Sequence, residues 1–164
     1  MEPTAGNDKK RAGFTLIELL VTLAVAVILA TVAVPSFQSM IATNRLAADY
    51  NSILSGLNFA RSEAVAQREK VTAVLTQSAG GGWKLEVKLD DGSSIDCSDP
   101  TDAKCLQVRD QTGSPVSIDS DSTVTFTSLG RLDGTTCKQI DVSHNGKTES
   151  IRVGLAGKVG DNCA

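Results

Sequence analysis

From Phe14 to Val34 the chain reads FTLIELLVTLAVAVILATVAV, in which 17 of 21 residues are apolar and the sole charge is Glu18. A helix of that length rises about 30 Å, the thickness of a bilayer's hydrocarbon core. Beyond Pro35 the apolar residues thin out and become periodic. Tyr50, Ile53, Leu54, Leu57, Ala60 and Ala64 recur at steps of three and four, one face of a helix, while Arg45, Asp49, Ser52, Ser55 and Arg68 fall largely elsewhere. The pattern predicts one long helix from Phe14 to about Gln67, roughly 80 Å in length and bent at Pro35. Its N-terminal half is apolar all round, and its C-terminal half has a single apolar face to pack under a globular head.

After Arg68 the period changes to two. Val71–Thr76 and Trp83–Leu89 read as strands separated by Ala79-Gly80-Gly81-Gly82, Asp91-Gly92 as a turn, and Thr123–Thr127 as a third strand. Gln139–Ser143 and Thr148–Val153 flank His144-Asn145-Gly146-Lys147, and Asn-Gly between alternating runs is a strong hairpin signal. The stretch from Ser93 to Ser122 is rich in Asp, Ser, Thr, Gly and Pro, which predicts a loop carrying one or two short strands. The fold class is therefore α+β, one long N-terminal helix followed by a C-terminal antiparallel β-sheet head.

Charge adds direction. Lys9, Lys10 and Arg11 precede the apolar block, and no matching positive cluster follows it directly. The positive-inside rule leaves the N-terminus in the cytoplasm and sends everything after Val34 across the membrane. A secretory signal peptide with a small-residue exit at Thr31-Val32-Ala33 is the competing reading. The length of the apolar block and the carboxylate near its start argue against it. Glu18 is costly in lipid, about 2.5–3.5 kcal/mol at mid-bilayer and less near the interface, which marks it as a functional residue. Its bland alternative is a carboxylate that snorkels to the interface.

At this point the residues resemble a known family. Arg11-Ala12-Gly13-Phe14-Thr15-Leu16-Ile17-Glu18-Leu19-Leu20 is similar to the class III leader junction of type IV pilins and pseudopilins. The resemblance implies a pilin-like fold and cleavage by a prepilin peptidase after Gly13. It also implies methylation of the new amine on Phe14, and a helix-bending role for Pro35. It implies that Glu18 meets the N-terminal amine of a neighbouring subunit, a pairing far stronger in a low-dielectric filament core than in water. Phe59-Ala60-Arg61-Ser62-Glu63-Ala64-Val65, with Arg68, Val71, Trp83 after a glycine run and Gly130, narrows the resemblance to the FimT/FimU/GspH group. Arg61 and Glu63 read equally as solvated helix residues or as groups docking the helix to the sheet.

On this reading residues 1–13 are a cleaved leader, 14–35 the membrane and assembly half of the helix, 36–68 its head-packed half, and 69–164 a β-rich head. An exported head meets an oxidising compartment, where disulfides are the default for Cys97, Cys105, Cys137 and Cys163. Of three possible pairings we favour Cys97–Cys105, closing a short loop, and Cys137–Cys163, pinning the tail to a strand. A zinc knuckle is disfavoured by the Cys97-to-Cys105 spacing.

Composition supports no enzyme. The chain has one His, His144, in a predicted turn, and lacks a nucleophile elbow or zincin motif. Gly154-x-x-Gly157-Lys158-Val159 departs from a P-loop in spacing and lacks Ser or Thr after Lys158. Asp119 and Asp121 alone are a weak Ca²⁺ signal. No cofactor or metal is expected. FimT-like pilins are linked to DNA capture through basic residues near a C-terminal Gly-Arg motif, and here the matching place reads Ala156-Gly157-Lys158-Val159. The candidate DNA-binding residues are Arg131, Lys138, Lys147, Arg152 and Lys158. Without residues 1–13, 13 basic and 17 acidic residues leave a net charge of −4, a poor start for neutralising phosphates.

The function expected is that of a minor pilin or pseudopilin that joins or primes a type IV pilus-like filament at its tip. Its partners would be other pilin subunits, the prepilin peptidase and an inner-membrane assembly platform. The alternatives are a DNA-capturing minor pilin of natural transformation and a type II secretion pseudopilin of the H type. It would sit in the bacterial inner membrane with a periplasmic head, then in a filament at the cell surface.

Overall fold

The structure is a computed structural model that describes residues 13–92, 97–98, 102–119, 122–160 and 162–163. Residues 1–12, and with them the basic cluster before the apolar block, lie outside the described residues, as do Asp121 and Asp161. The long helix, α1, runs Leu16–Gln67 and contains Pro35. It starts two residues later than the hydropathy pattern predicts because Thr15 caps it. The Glu18 backbone N–H donates to Thr15 Oγ1 at 3.3 Å, and Thr-x-x-Glu is the spacing of a capping box. At the other end Arg68 takes φ of 58°, a left-handed residue that stops the helix without a glycine.

The chain divides into two compact units, residues 1–40 and 41–164. In the first, every described residue is exposed, including Phe14, Leu16, Ile17, Ile28 and Phe37. Mean hydropathy in its most apolar window reaches 2.6, enough by length and composition to cross a membrane.

In the second unit the helix presents Leu46, Ile53, Gly56, Leu57, Ala60 and Ala64 to the core, with Tyr50 and Leu54 partly buried against it. The strands are β1 (Val71–Gln77), β2 (Trp83–Leu89), β3 (Cys105–Asp110), β4 (Ser117–Ile118), β5 (Ser122–Phe126), β6 (Lys138–His144), β7 (Lys147–Val153) and β8 (Val159–Gly160). They form two four-stranded sheets rather than one, ordered β3-β2-β1-β5 and β4-β6-β7-β8, with antiparallel pairing throughout. One apolar cluster joins both sheets to the helix. Val71, Ala73, Leu75, Trp83, Leu85, Val87, Val124 and Phe126 come from the first sheet, and Ile140, Val142, Ile151 and Val153 from the second. The period-two alternation that predicts these strands is what puts these residues on one face. Gln77 ties the sheets together, since its Oε1 accepts from the Ile118 N–H at 2.7 Å and its Nε2 donates to the Gly82 carbonyl at 2.7 Å.

The polar stretch after Ser93 carries two short strands, as its pattern predicts: β4, and β3, a six-residue edge strand that pairs with β2 across a bulge at Val87/Lys88. One element differs from the sequence pattern. The tail supplies β8, two residues that cover the β7 edge at Arg152 and Val153. The β6–β7 hairpin turns at Asn145 and Gly146, whose φ values of 50° and 74° are those of a two-residue I′ turn.

Candidate assembly and interaction sites

The apolar half of α1 carries the first candidate site. Gly13 and Phe14 precede the helix, and Phe14 is 87% exposed. Glu18 is exposed and sits in the first helical turn, where a negative charge is favoured by the helix dipole. Its side chain lines a shallow groove of about 200 Å³ with Phe14, Leu19 and Thr22. The sequence singles out Glu18 for its charge; its place in the capping turn is a second reason for a carboxylate there.

In the head, disulfides join Cys97 to Cys105 and Cys137 to Cys163. The first ties the chain ahead of β3 to that strand, and Lys104 adds an ion pair to Asp91 at 2.6 Å. Hydrogen bonding to Asp91 raises the Lys104 pKa, and Asp133 does the same for Lys70. The second disulfide holds the tail after β8 beside the start of β6. Among the described residues no group of three His, Cys, Asp or Glu is placed to hold a metal ion. His144 Nδ1 lies 2.9 Å from the Pro115 carbonyl, linking the hairpin to the segment before β4.

The two polar residues of the helix end part ways. Arg61 is half-buried and its Nε donates to the Gly130 carbonyl at 3.0 Å, so it docks the helix onto the loop after β5. Glu63 instead accepts from Gln67 Nε2 on its own helix at 3.0 Å. Arg109, which the sequence does not single out, performs the same docking at the other sheet edge. Its Nη1 donates to the Ser52 carbonyl at 2.7 Å and to Ser55 Oγ at 2.6 Å.

The five candidate DNA-binding residues are not brought onto one face. In the β6–β7 register Lys138 lies opposite Val153 and His144 opposite Lys147, so Lys138 and Lys147 share parity with the buried Ile140, Val142 and Ile151. Arg152 lies opposite Gln139, on the other face with Asp141, and its Nε donates to Gln139 Oε1 at 3.0 Å. Lys147 donates to Thr43 Oγ1 at 2.7 Å and lines a groove of about 280 Å³ with Glu149, Leu46, Ala47 and Tyr50. Arg131 and Lys158 are exposed on loops next to Gly130 and Gly157. A single basic surface, which strand parity left open in the sequence, is absent among the described residues because the hairpin pleat sends its cations to opposite faces.

A wholly exposed apolar helix half with a carboxylate in its first turn, continued into a head of antiparallel sheets, defines a type IV pilin or pseudopilin. Sequence comparison places it further. The prokaryotic N-terminal methylation motif matches residues 8–34, and the profile of the type II transport protein GspH matches residues 49–157. The chain belongs to the GspH family. No curated protein matches it. Among solved structures it is similar to the type IV minor pilin FimU of Pseudomonas aeruginosa strain PAO1 in two crystal forms. In the P21 form the TM-score is 0.58 at 22% identity, over 73% of this chain and 90% of that one. In the P65 form it is 0.53 at 22% identity, over 69% and 89%. At that identity the likeness speaks for the fold.

Proposed function

We propose that the chain is a minor pilin or pseudopilin made as a precursor, cleaved after Gly13 by a prepilin peptidase, methylated on Phe14, and added to a type IV pilus-like filament by an inner-membrane assembly platform. The observation that carries this reading is the apolar helix half. Phe14 to Met40 bury nothing within the chain, and such a surface needs lipid or other apolar helices around it. Residues 14–35 are the part that moves from bilayer to filament core, and Pro35, which lacks the N–H a helix interior uses, is where the helix would bend. In the core, Glu18 pairs with the amine of a neighbour's first residue and sets axial register, since an unpaired carboxylate there is strongly disfavoured. A priming role at the filament tip, with the head on the periplasmic side before export, follows the same reading.

Glu18→Val tests it. The substitution removes a charge from an apolar helix, so membrane insertion is retained. Recovery of the chain in sheared filaments or detergent-extracted priming complexes drops by an order of magnitude or more. Unchanged recovery would sink the register role.

A second reading, a subunit of a type II secretion pseudopilus, is favoured by the description of the matching family profile. Deletion separates the two. Loss of exoprotein secretion with pili intact supports the pseudopilus, and loss of pili with secretion intact supports the pilus.

A further inference from the structure

We infer that Arg61, with Val65 beside it and Leu129 next to its partner Gly130, is a docking site for an acidic side chain on the head of a neighbouring subunit; the inference rests on the filament-subunit reading above. The starting observation is a cation that the fold positions but does not saturate. Arg61 Nε is spent on the Gly130 carbonyl at 3.0 Å, which fixes the guanidinium on a half-buried stem. Guanidinium carries five N–H donors, and among the described residues its two Nη groups have no partner. The polar neighbours make hydrogen bonds within α1 instead. Asn58 Nδ2 donates to the Leu54 carbonyl, Ser62 Oγ to the Phe59 carbonyl, and Glu63 accepts from Gln67.

A groove of about 360 Å³ opens on this face, lined by Asn58, Arg61, Ser62 and Val65. Val65 in its lining is 50% exposed, and Leu129, the residue before Gly130, is 77% exposed. Both are held at Gly130: Leu129 precedes it, and Val65 Cγ2 would lie 2.8 Å from a Cβ built there. A preset guanidinium beside an exposed apolar side chain is the make-up of an interface anchor, because an apolar rim excludes water from the ion pair. Charge complementarity selects a carboxylate as the occupant, held by the two Nη groups.

A phosphate would also suit one guanidinium. Nucleic acid, however, gains affinity by summing several phosphate contacts. Here Arg61 is the cation in the groove lining, beside the exposed Val65, while Arg131 after Gly130 is a loop residue outside that lining, and the chain's net charge without residues 1–13 is −4. A protein carboxylate uses the apolar rim as well as the cation, and a polyanion uses only the cation.

The test leaves the Arg61–Gly130 bond alone and alters exposed positions in the full-length chain. Leu129→Glu places a like charge at the rim, and Ser62→Glu neutralises the guanidinium from within. Each should lower recovery of the chain in filaments about tenfold while the thermal midpoint of the head is unchanged. A photo-crosslinking residue at position 129 should couple to an identified pilin-type subunit at a peptide containing Asp or Glu. Wild-type recovery of both variants overturns the inference, as does crosslinking confined to lipid or to the same chain. Normal recovery combined with lost DNA retention by both variants overturns it in favour of a phosphate occupant. Failure of the filament reading itself would look different, since wild-type chain would then be absent from filaments as well.

Discussion

Gly157 rests its Cα on the backbone of Gly130: a Cβ at Gly157 would fall on the Gly130 carbonyl oxygen, the same oxygen that accepts from Arg61 Nε. Three segments far apart in sequence, the end of α1, the loop after β5 and the loop before β8, therefore meet at one carbonyl. Gly157 also has φ of 80°, a conformation that a side chain disfavours. Gly157→Ala combines steric overlap with left-handed strain, and should destabilise the head by about 2–3 kcal/mol. Thermal denaturation of the head expressed from Ser36 checks this, and a loss below about 0.5 kcal/mol would mean that the two loops separate easily.

The two disulfides should differ in worth. Cys137–Cys163 spans a sequence separation of 26 and Cys97–Cys105 one of 8. Chain-entropy reasoning rates them at about 3.5 and about 2.6 kcal/mol. Cys137→Ser with Cys163→Ser should therefore lower the denaturation midpoint more than Cys97→Ser with Cys105→Ser, and should free the tail and β8 for proteolysis. Peptide mapping of the oxidised head provides the control. A link between Cys97 and Cys137 would overturn the pairing.

Processing makes a prediction about mass. If the proposed cut after Gly13 is made, protein recovered from membranes should begin at an N-methylated Phe14. Gly13→Leu should leave the precursor intact and outside filaments. A mature terminus near Ala33 in the wild type would instead mark the apolar block as a discarded signal peptide.

The head's surface pairs set its pH response. Hydrogen bonds from the Thr112 hydroxyl and backbone N–H hold Asp110 below the ordinary carboxylate range. Its contribution is thus present above the unfolded carboxylate value and lost as pH falls through the depressed folded one. Lys70 and Lys104 are raised by their hydrogen bonds to Asp133 and Asp91. Their contribution is present below the unfolded lysine value and lost as pH rises through the raised folded one. Melting temperature should be level from about pH 5 to about pH 9 and fall at both ends. Lys104→Met should flatten the alkaline limb, and a limb unchanged by that substitution would assign it to other groups.

Much of this architecture is legible in the chain because it rests on short-range pattern. The helix face from Tyr50 to Ala64 follows from the spacing of three and four, and the β6–β7 hairpin from Asn145-Gly146 between alternating runs. The bounds of β3 within its polar stretch are not legible because it is an edge strand, and tertiary ties rather than β-propensity hold it: Arg109 to α1, Cys105 to Cys97, Lys104 to Asp91. β8 is two residues and has no period to detect. At the candidate sites, Glu18 stands out because a charge in an apolar run is anomalous within a few residues. The role of Arg61 depends on an oxygen 69 positions away, which no local pattern encodes.

The distribution of cations decides what the head does with DNA. Arg152 shares the outer face of the hairpin with Asp141, and Lys147 shares a groove with Glu149, so each is offset by a carboxylate of the same parity. Of the five candidates, the exposed loop cations Arg131 and Lys158 and the exposed Lys138 at the start of β6, opposite Val153, are left to meet a phosphate chain without a strand neighbour of opposite sign. Three contacts give a shallow salt dependence, a slope near 3 in a plot of log affinity against log salt. Duplex DNA should therefore be retained weakly at low ionic strength, without sequence preference, and released by about 0.2 M salt. Arg131→Ala or Lys158→Ala should each reduce the slope by about one, whereas Arg152→Ala should leave it unchanged. A gel-shift or fluorescence titration across salt measures all of this. A slope of four or more, or binding that survives 0.2 M salt, would mean that the split cations act together on DNA after all.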